Sequence, residues 1–125
     1  MILLHTPWSS EDKMASNFKN ASYTFTSTDT DQTIYTADGA GQHTAVVHSM
    51  FFANKHTTSN CAVTLKIADN SAGSQRVVLN KVPIPPNTTL SLDKTLNLEV
   101  NDSLVVQSSR VECDVVTSIL ELTTA

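Results

Sequence analysis

The chain has 125 residues and a mass of 13.5 kDa, enough for one domain with a core of its own. Charged residues make up 16% of it and the net charge is −4, so it has no basic stripe to neutralise the phosphates of a nucleic acid. No run approaches the ~20 apolar residues that span a bilayer, and Met1–Leu4 is too short an apolar stretch for a secretory signal. We therefore expect a protein made in a cytoplasm, with neither nucleic acid nor membrane as a partner.

Residues 1–13, MILLHTPWSSEDK, differ from the rest of the chain. They follow neither the period of a helix nor that of a strand, and they hold the single tryptophan of the sequence. Two interpretations are open: a tail that precedes a single β-sandwich domain of residues 14–125, or an arm that docks on a neighbouring subunit. The second interpretation draws on the enrichment of tryptophan as an anchor at interfaces. It assigns partner binding to four residues of the segment: Ile2, Leu3, Leu4 and Trp8.

Most of the chain after residue 13 consists of short runs in which apolar residues take every second position. This alternation is typical of strands with one buried face and one wet face. The predicted strands are Asn20–Thr28, Thr33–Thr36, Thr44–Asn54, Cys61–Ala68, Gln75–Val82, Thr88–Asp93, Leu96–Val100, Ser103–Ser108 and Val111–Leu122. The third of them is almost continuously apolar, which predicts a central strand that is covered on both faces or bulged near Ser49.

The last predicted strand, Val111–Leu122, does not keep its apolar residues on one face. Cys113 and Val115 begin the pattern, but Leu120 and Leu122 fall on the opposite face. The change predicts either a bulge near Val116–Thr117 or a strand that is covered on both faces. We expect the acidic residues of this strand and of the preceding stretch on solvent-facing positions: Glu99, Asp102, Glu112, Asp114 and Glu121.

A stiff corner formed by Pro83, Pro85 and Pro86 precedes the strand that carries Leu90 and Leu92. We expect the corner to set the inward register of that strand. In all, about eight or nine strands with turns about every 8–12 residues predict an all-β fold. It should be an antiparallel β-sandwich with an N-terminal extension, and alternation does not separate the immunoglobulin-like topology from the jelly roll.

No group of residues in the sequence predicts catalysis or metal binding. His43 and His48 are five positions apart on one predicted strand, so their side chains should point to opposite faces and share no metal. Three loop aspartates suggest calcium ligation but lack the rest of an EF-hand pattern: Asp29, Asp31 and Asp38. Motifs for nucleophilic catalysis, phosphate binding and zinc are missing too. We expect no enzyme, no catalytic residue, no cofactor and no metal.

The two cysteines, Cys61 and Cys113, lie on separate predicted strands, each within an alternating apolar run. Two residues do not make a disulfide framework, and a free cysteine packs as a small hydrophobe. Burial in apolar surroundings also raises the pKa of a thiol and makes it inert as a nucleophile. We therefore expect two free, buried thiols.

Four segments of the chain combine into a recognisable pattern: Thr44–Asn54 (TAVVHSMFFAN), Val82–Asp93 (VPIPPNTTLSLD), Leu98–Gln107 (LEVNDSLVVQ) and Thr117–Leu122 (TSILEL). Together they resemble small virion structural proteins of tailed bacteriophages, notably T4-like phages of aquatic bacteria. The resemblance spans residues 14–122 and leaves the N-terminal segment outside. Phage proteins often have glycine where this chain has Asn101, which also tolerates the left-handed backbone that the turn requires.

The resemblance implies a non-enzymatic virion protein that assembles in many copies and binds other virion proteins as well as itself. Among such roles we favour capsid decoration, or cement, because an arm suits a protein that grips adjoining capsomers. A neck, tail or baseplate component is the first alternative. A carbohydrate-binding β-sandwich is the second, although only 6% of the residues are aromatic and most of these fall in predicted strands. The expected location is the virion, after synthesis in the host cytoplasm.

Overall fold

Nine β-strands and no helix form the part of the chain that the structure, a computed structural model, describes, namely residues 14–38 and 43–124. The all-β class is confirmed, and no helix within these residues is long and apolar enough to cross a membrane. The strands are β1 (Met14–Thr24), β2 (Gln32–Thr36), β3 (His43–Asn54), β4 (Cys61–Asp69), β5 (Ser74–Ile84), β6 (Thr89–Leu92), β7 (Leu96–Leu98), β8 (Ser103–Ser108) and β9 (Cys113–Thr124).

The strands form two antiparallel sheets that enclose one apolar core, as predicted for a β-sandwich. Sheet A has the order β1-β9-β3-β6, with β7 also paired to β3, and sheet B has the order β2-β8-β4-β5. Strands β6 and β7 pair with successive parts of β3, like two halves of one interrupted strand. With β6 and β7 counted as one strand, the chain changes sheet at every connection except the β4–β5 hairpin. This is the arrangement of a jelly roll rather than of an immunoglobulin-like sandwich.

A bulge in β3 explains why this strand reads as continuously apolar. Val47 pairs with Ile119 of β9 and Ser49 pairs with Ser118, so His48 is one residue more than the ladder needs. The extra residue reverses the alternation, and the buried side chains change from odd positions before the bulge to even positions after it. The buried apolar residues are Ala45, Val47, Met50 and Phe52. The bulge predicted near Ser49 is confirmed.

Strand β9 keeps one regular alternation throughout, and the bulge predicted near Val116–Thr117 is wrong. Its ladder with β1 runs without a register shift from Thr24–Asp114 to Met14–Thr124. Thr117 and Glu121 are buried on the inner face, where the pattern seemed to fail because both residues are polar. The Thr117 hydroxyl donates a hydrogen bond to the Ser49 carbonyl at 3.1 Å, next to the β3 bulge.

Two of the acidic residues predicted to face solvent, Asp102 and Glu121, are instead buried. Glu121 accepts hydrogen bonds from the Tyr35 hydroxyl at 2.5 Å and from Lys19 Nζ at 3.4 Å. The bond from Tyr35 is the main reason that the pKa of Glu121 is lowered. Asp102 accepts two backbone N–H bonds at 2.9 Å, one to each carboxylate oxygen. Buried carboxylates persist in a core where such partners satisfy them.

The proline corner begins later than predicted, because Pro83 lies within β5 and pairs with Ala62 of β4. Strand β5 is an edge strand of sheet B, where a residue without an N–H is tolerated. The turn itself follows Ile84, and it includes Asn87 with a φ of 56°. Beyond the turn, Leu90 and Leu92 pair with Phe52 and Met50, both buried, and therefore share their inward face.

Cys61 and Cys113 are free and fully buried, as predicted. The Cys61 sulfur lies 2.8 Å from the Ser108 hydroxyl, and the two groups share a hydrogen bond. Burial, reinforced by the neighbouring Cys61, raises the pKa of Cys113 to about 12. A thiol with such a pKa is almost wholly protonated near neutral pH and is a poor nucleophile.

We expect both thiols to react with a maleimide only after denaturation, since the reagent needs access to a thiolate. Labelling is followed by mass spectrometry in buffer and in denaturant. A Ser91→Cys variant is the control, because Ser91 is exposed on β6 and its thiol should react at once in the folded protein. Rapid labelling of Cys61 or Cys113 in the folded chain would contradict their burial.

Candidate assembly surface

The outer face of sheet A is nearly free of charge. Residues paired across antiparallel strands point to the same side, so the ladder register gives the rows of this face. The rows are Ser16–Leu122–Thr44, Phe18–Leu120–Val46, Asn20–Ser118–Ser49, Ser22–Val116–Phe51 and Thr24–Asp114–Ala53. Asp114 is the one acidic or basic residue in these rows. Its carboxylate lies 3.1 Å from Lys55 Nζ and accepts a 2.7 Å bond from the Thr24 hydroxyl.

Apolar side chains are concentrated on this face. Five large apolar side chains are exposed in the described part of the chain, and three of them lie here: Phe18 (77% exposed), Val116 (42%) and Phe51 (39%). Three further half-buried side chains adjoin them: Val46, Leu120 and Leu122. We call these six residues the apolar patch. The uncharged row Asn20–Ser118–Ser49 separates Val116 and Phe51 from the other four. Exposed apolar side chains concentrated on one face usually mark an interaction site.

His48, at the β3 bulge, is exposed and adjoins the patch. The His48 ring stacks on Phe18, with ring centroids 6.2 Å apart and planes inclined by 29°. His43, before the bulge, pairs with Thr123 and contacts its hydroxyl on the inner side. The prediction that the two histidines point to opposite faces is confirmed.

Two hollows lie along the β1–β9 ladder. The first has a volume of about 230 Å³ and is lined by residues that include Phe18, Asn20, His48 and Ser118. The second has a volume of about 340 Å³ and is lined by residues that include Ser22, Thr24, Asp114 and Val116. Their centres are about four residues apart along β1, which corresponds to ~13 Å of strand.

The residues predicted to bind a partner, Ile2, Leu3, Leu4 and Trp8, lie outside the described residues, as does His5. The segment that holds them joins sheet A at Met14, where β1 begins as an edge strand paired with Thr124. Sequence reasoning missed Phe18 because the first predicted strand began at Asn20. The sequence did indicate an apolar outer face, because the side chains of Leu120 and Leu122 fall on the face of their strand opposite to the core.

Carboxylates come together at a different place from the one considered in the sequence. Asp31 does not join a cluster: it pairs with Lys66 Nζ at 3.1 Å and accepts a bond from Gln107 at 2.7 Å. Among the described residues, the group of three acidic side chains close enough to share an ion is Asp69, Glu99 and Asp102, with ligand atoms within 4.8 Å. Asp69 and Asp102 already accept hydrogen bonds from neighbouring loop residues, so the group orders two turns.

No protein-family model and no curated protein sequence matches the chain. Its fold is similar to a chain of the Bacillus endospore appendages, which are disulfide-linked pili, with a TM-score of 0.58, 14% identity, and coverage of 99% of this chain and 100% of that one. It is also similar to a chain of the Helicobacter pylori bacteriophage KHP30 capsid, with a TM-score of 0.54, 12% identity, and coverage of 90% and 94%.

A third similar structure is a chain of the infectious bursal disease virus particle, with a TM-score of 0.52 and 12% identity. There the likeness covers 92% of this chain but only 32% of the viral chain. At these identities the three comparisons show a shared fold.

Proposed function

We propose that the protein is a non-enzymatic structural subunit of a virion that assembles in many copies. The observation that carries the proposal is the apolar patch on an outer face whose only charged residue, Asp114, is already paired with Lys55. Leaving such a face in water costs free energy, and covering it with a partner recovers that free energy.

The comparisons support the same proposal, a structural subunit of an assembly. The three similar chains come from a pilus, a phage capsid and a virus particle, all of which are assemblies. The likeness covers nearly the whole of the pilus and phage capsid chains and at least 90% of this chain. The four segments that resemble virion proteins of tailed phages point in the same direction. Within the virion we favour capsid decoration over a neck, tail or baseplate position, since residues 1–13 suit an arm.

The chemistry of the described residues supports a structural role. Both cysteine thiols are buried, and the raised pKa of Cys113 makes that thiol a poor nucleophile. The three described histidines serve local contacts: His43 bonds Thr123, His48 stacks on Phe18, and His56 Nδ1 accepts the N–H groups of Thr58 and Ser59.

A carbohydrate-binding face is the second candidate, because Phe18 and Phe51 lie on strands yet face outward. Phe18 is also flanked by polar Asn20 and Ser118, which resembles a platform for a sugar ring. A glycan would bind a monomer, whereas a structural subunit associates in the absence of any sugar. Self-association therefore distinguishes the two candidates.

We expect the full chain to form multimers, and a variant lacking residues 1–13 to remain monomeric. The deletion removes apolar contacts between copies but should shift the melting temperature by less than about 2 °C, since it takes nothing from the described core. Sedimentation velocity over a concentration series measures the assembly, and calorimetry measures the melting temperature.

A full chain that stays monomeric at high concentration, and that immunogold labelling does not find on virus particles, would overturn the proposal. The position of the gold on the particle, head or tail, decides between decoration and the neck, tail or baseplate alternative.

A further inference from the structure

We propose that the segment Ile2–Trp8 of one copy lies across the outer face of sheet A of a second copy, along the β1–β9 ladder. The inference rests on the proposed self-assembly and names the two surfaces that meet.

The two surfaces match in charge. The segment reads ILLHTPW and holds no acidic or basic residue apart from His5. The rows of the face that would receive it hold one acidic residue, Asp114, whose charge is already paired with Lys55 at 3.1 Å. Lys19, which also lines the first hollow, is paired with Glu121 at 3.4 Å. Contact between them therefore buries apolar area without leaving a charge unpaired, which is the condition for a favourable apolar interface.

The spacing of the apolar residues also fits. In an extended segment the side chains of even-numbered residues point to one side, so Ile2, Leu4 and Trp8 share a face. Pro7 favours extended backbone at the residue before it. Leu4 and Trp8 are then about four residues, or ~13 Å, apart, which is the separation of the two hollows on the β1–β9 ladder. One hollow receives Trp8 and the other receives Leu4.

The geometry assigns the segment to a second copy rather than to its own domain. The first hollow lies beside Phe18 and Asn20, ~17 Å along β1 from Met14, and a segment packed on the sheet runs ~10 Å above it. The straight path from Met14 to that site is therefore ~20 Å, and the six Cα–Cα steps from Trp8 to Met14 span at most about 20–22 Å. Almost nothing remains for the reversal of direction that docking on the same domain would require.

An arm that binds the next copy also explains how assembly continues. The contact joins two different surfaces, so each copy offers a free arm at one side and a free face at the other. Such heterologous contacts form rings when the rotation closes and open chains when it does not.

The test uses Trp8, the only tryptophan of the chain, as a built-in probe. Val116→Asp introduces a charge into the receiving face, and Asn20→Lys does so at an exposed position beside the first hollow. Val77→Asp is the matched control, because Val77 is an exposed valine (55%) on edge strand β5 of sheet B. We expect both face variants to weaken self-association at least about tenfold and to keep Trp8 emission at the wavelength of exposed tryptophan. The control should assemble and blue-shift like the unchanged chain.

Mixing two defective variants separates binding between copies from binding within one. Val116→Asp keeps the arm but has a damaged face, and Trp8→Ala keeps the face but has a damaged arm. Neither should assemble alone, yet their mixture should form a heterodimer in which the fluorescence of Trp8 moves to the blue. All of that signal comes from the arm donor, because the other variant has no tryptophan.

Each other outcome has a definite meaning. A full chain that assembles equally well with Val116→Asp, Asn20→Lys and Val77→Asp overturns the assigned face and leaves the proposed function standing. A monomer whose Trp8 emission is blue-shifted at every concentration places the arm on its own domain and overturns the inference. A monomer with exposed Trp8 overturns the inference, and it overturns the proposed function as well if immunogold labelling does not find the chain on virus particles.

Discussion

Replacing Leu92 with aspartate should lower the free energy of unfolding by several kcal/mol, whereas the same change at Ser91 should alter it by less than about 0.5 kcal/mol. The two residues are neighbours on β6 but face opposite ways. Leu92 pairs with the buried Met50 and packs against the core, while Ser91 pairs with Phe51 and is exposed. An aspartate at position 92 would place an unpaired charge against apolar side chains.

Denaturant unfolding of the two variants beside the unchanged chain measures the difference. The pair is well matched, because both carry the same new side chain on the same four-residue strand. Ser91 borders the apolar patch, so its effect on stability is measured at a concentration where the chain is monomeric. Equal stabilities of the two variants would mean that the register of β6 on β3 is shifted by one residue.

Strand positions were predictable because alternation is a local property. The predicted run Ser103–Ser108 coincides with β8, since its apolar residues and its ends are both marked in the sequence. The β3 bulge was predictable for the same reason: buried positions change parity between Val47 and Met50, and a change of parity within one strand requires an inserted residue.

Polar residues on the inner face were not predictable, because their partners lie far along the chain. Glu121 meets Lys19, 102 residues away, and Tyr35, 86 residues away. A buried carboxylate is stable only where hydrogen-bond donors surround it. The alternation of apolar residues along one strand does not indicate which distant residues supply those donors. The bulge was wrongly predicted in β9 for the same reason. Thr117 and Glu121 are polar residues on inward positions, so the alternation looked broken although the strand is regular.

The apolar patch shows a third limit. Each of its strands contributes only one or two large apolar side chains. The outward side of any one strand therefore resembles an ordinary solvent-exposed surface. Phe18, Leu120 and Val46 form a row only when β1, β9 and β3 lie side by side. The jelly-roll order that brings these strands together is set by pairings over long sequence separations, so the surface appears only with the fold.

Replacing the buried Asn54 with aspartate should be as damaging as the change at Leu92, although the new side chain has the same shape. Asn54 ends β3, and the two N–H groups of its amide are shared among three carbonyls: Ser59 and Ile84 at 2.9 Å and Pro85 at 3.2 Å. Its carbonyl oxygen accepts the N–H of His56 at 2.9 Å. This one side chain therefore holds the β3–β4 loop against the turn that follows β5.

An aspartate at position 54 turns a donor into a charged acceptor that faces three carbonyl oxygens. We expect a loss of about 3 kcal/mol or more at neutral pH, because three carbonyl oxygens lose their donor and a buried side chain gains an unpaired negative charge. Asn97→Asp on β7 is the matched control, since Asn97 is exposed and a new charge there should cost less than about 0.5 kcal/mol. The deficit of Asn54→Asp should shrink in acid, where a protonated carboxyl can again donate one hydrogen bond. Urea unfolding of both variants at neutral and acidic pH tests this, and a pH-independent deficit equal to that of the control would show that Asn54 does not hold these segments together.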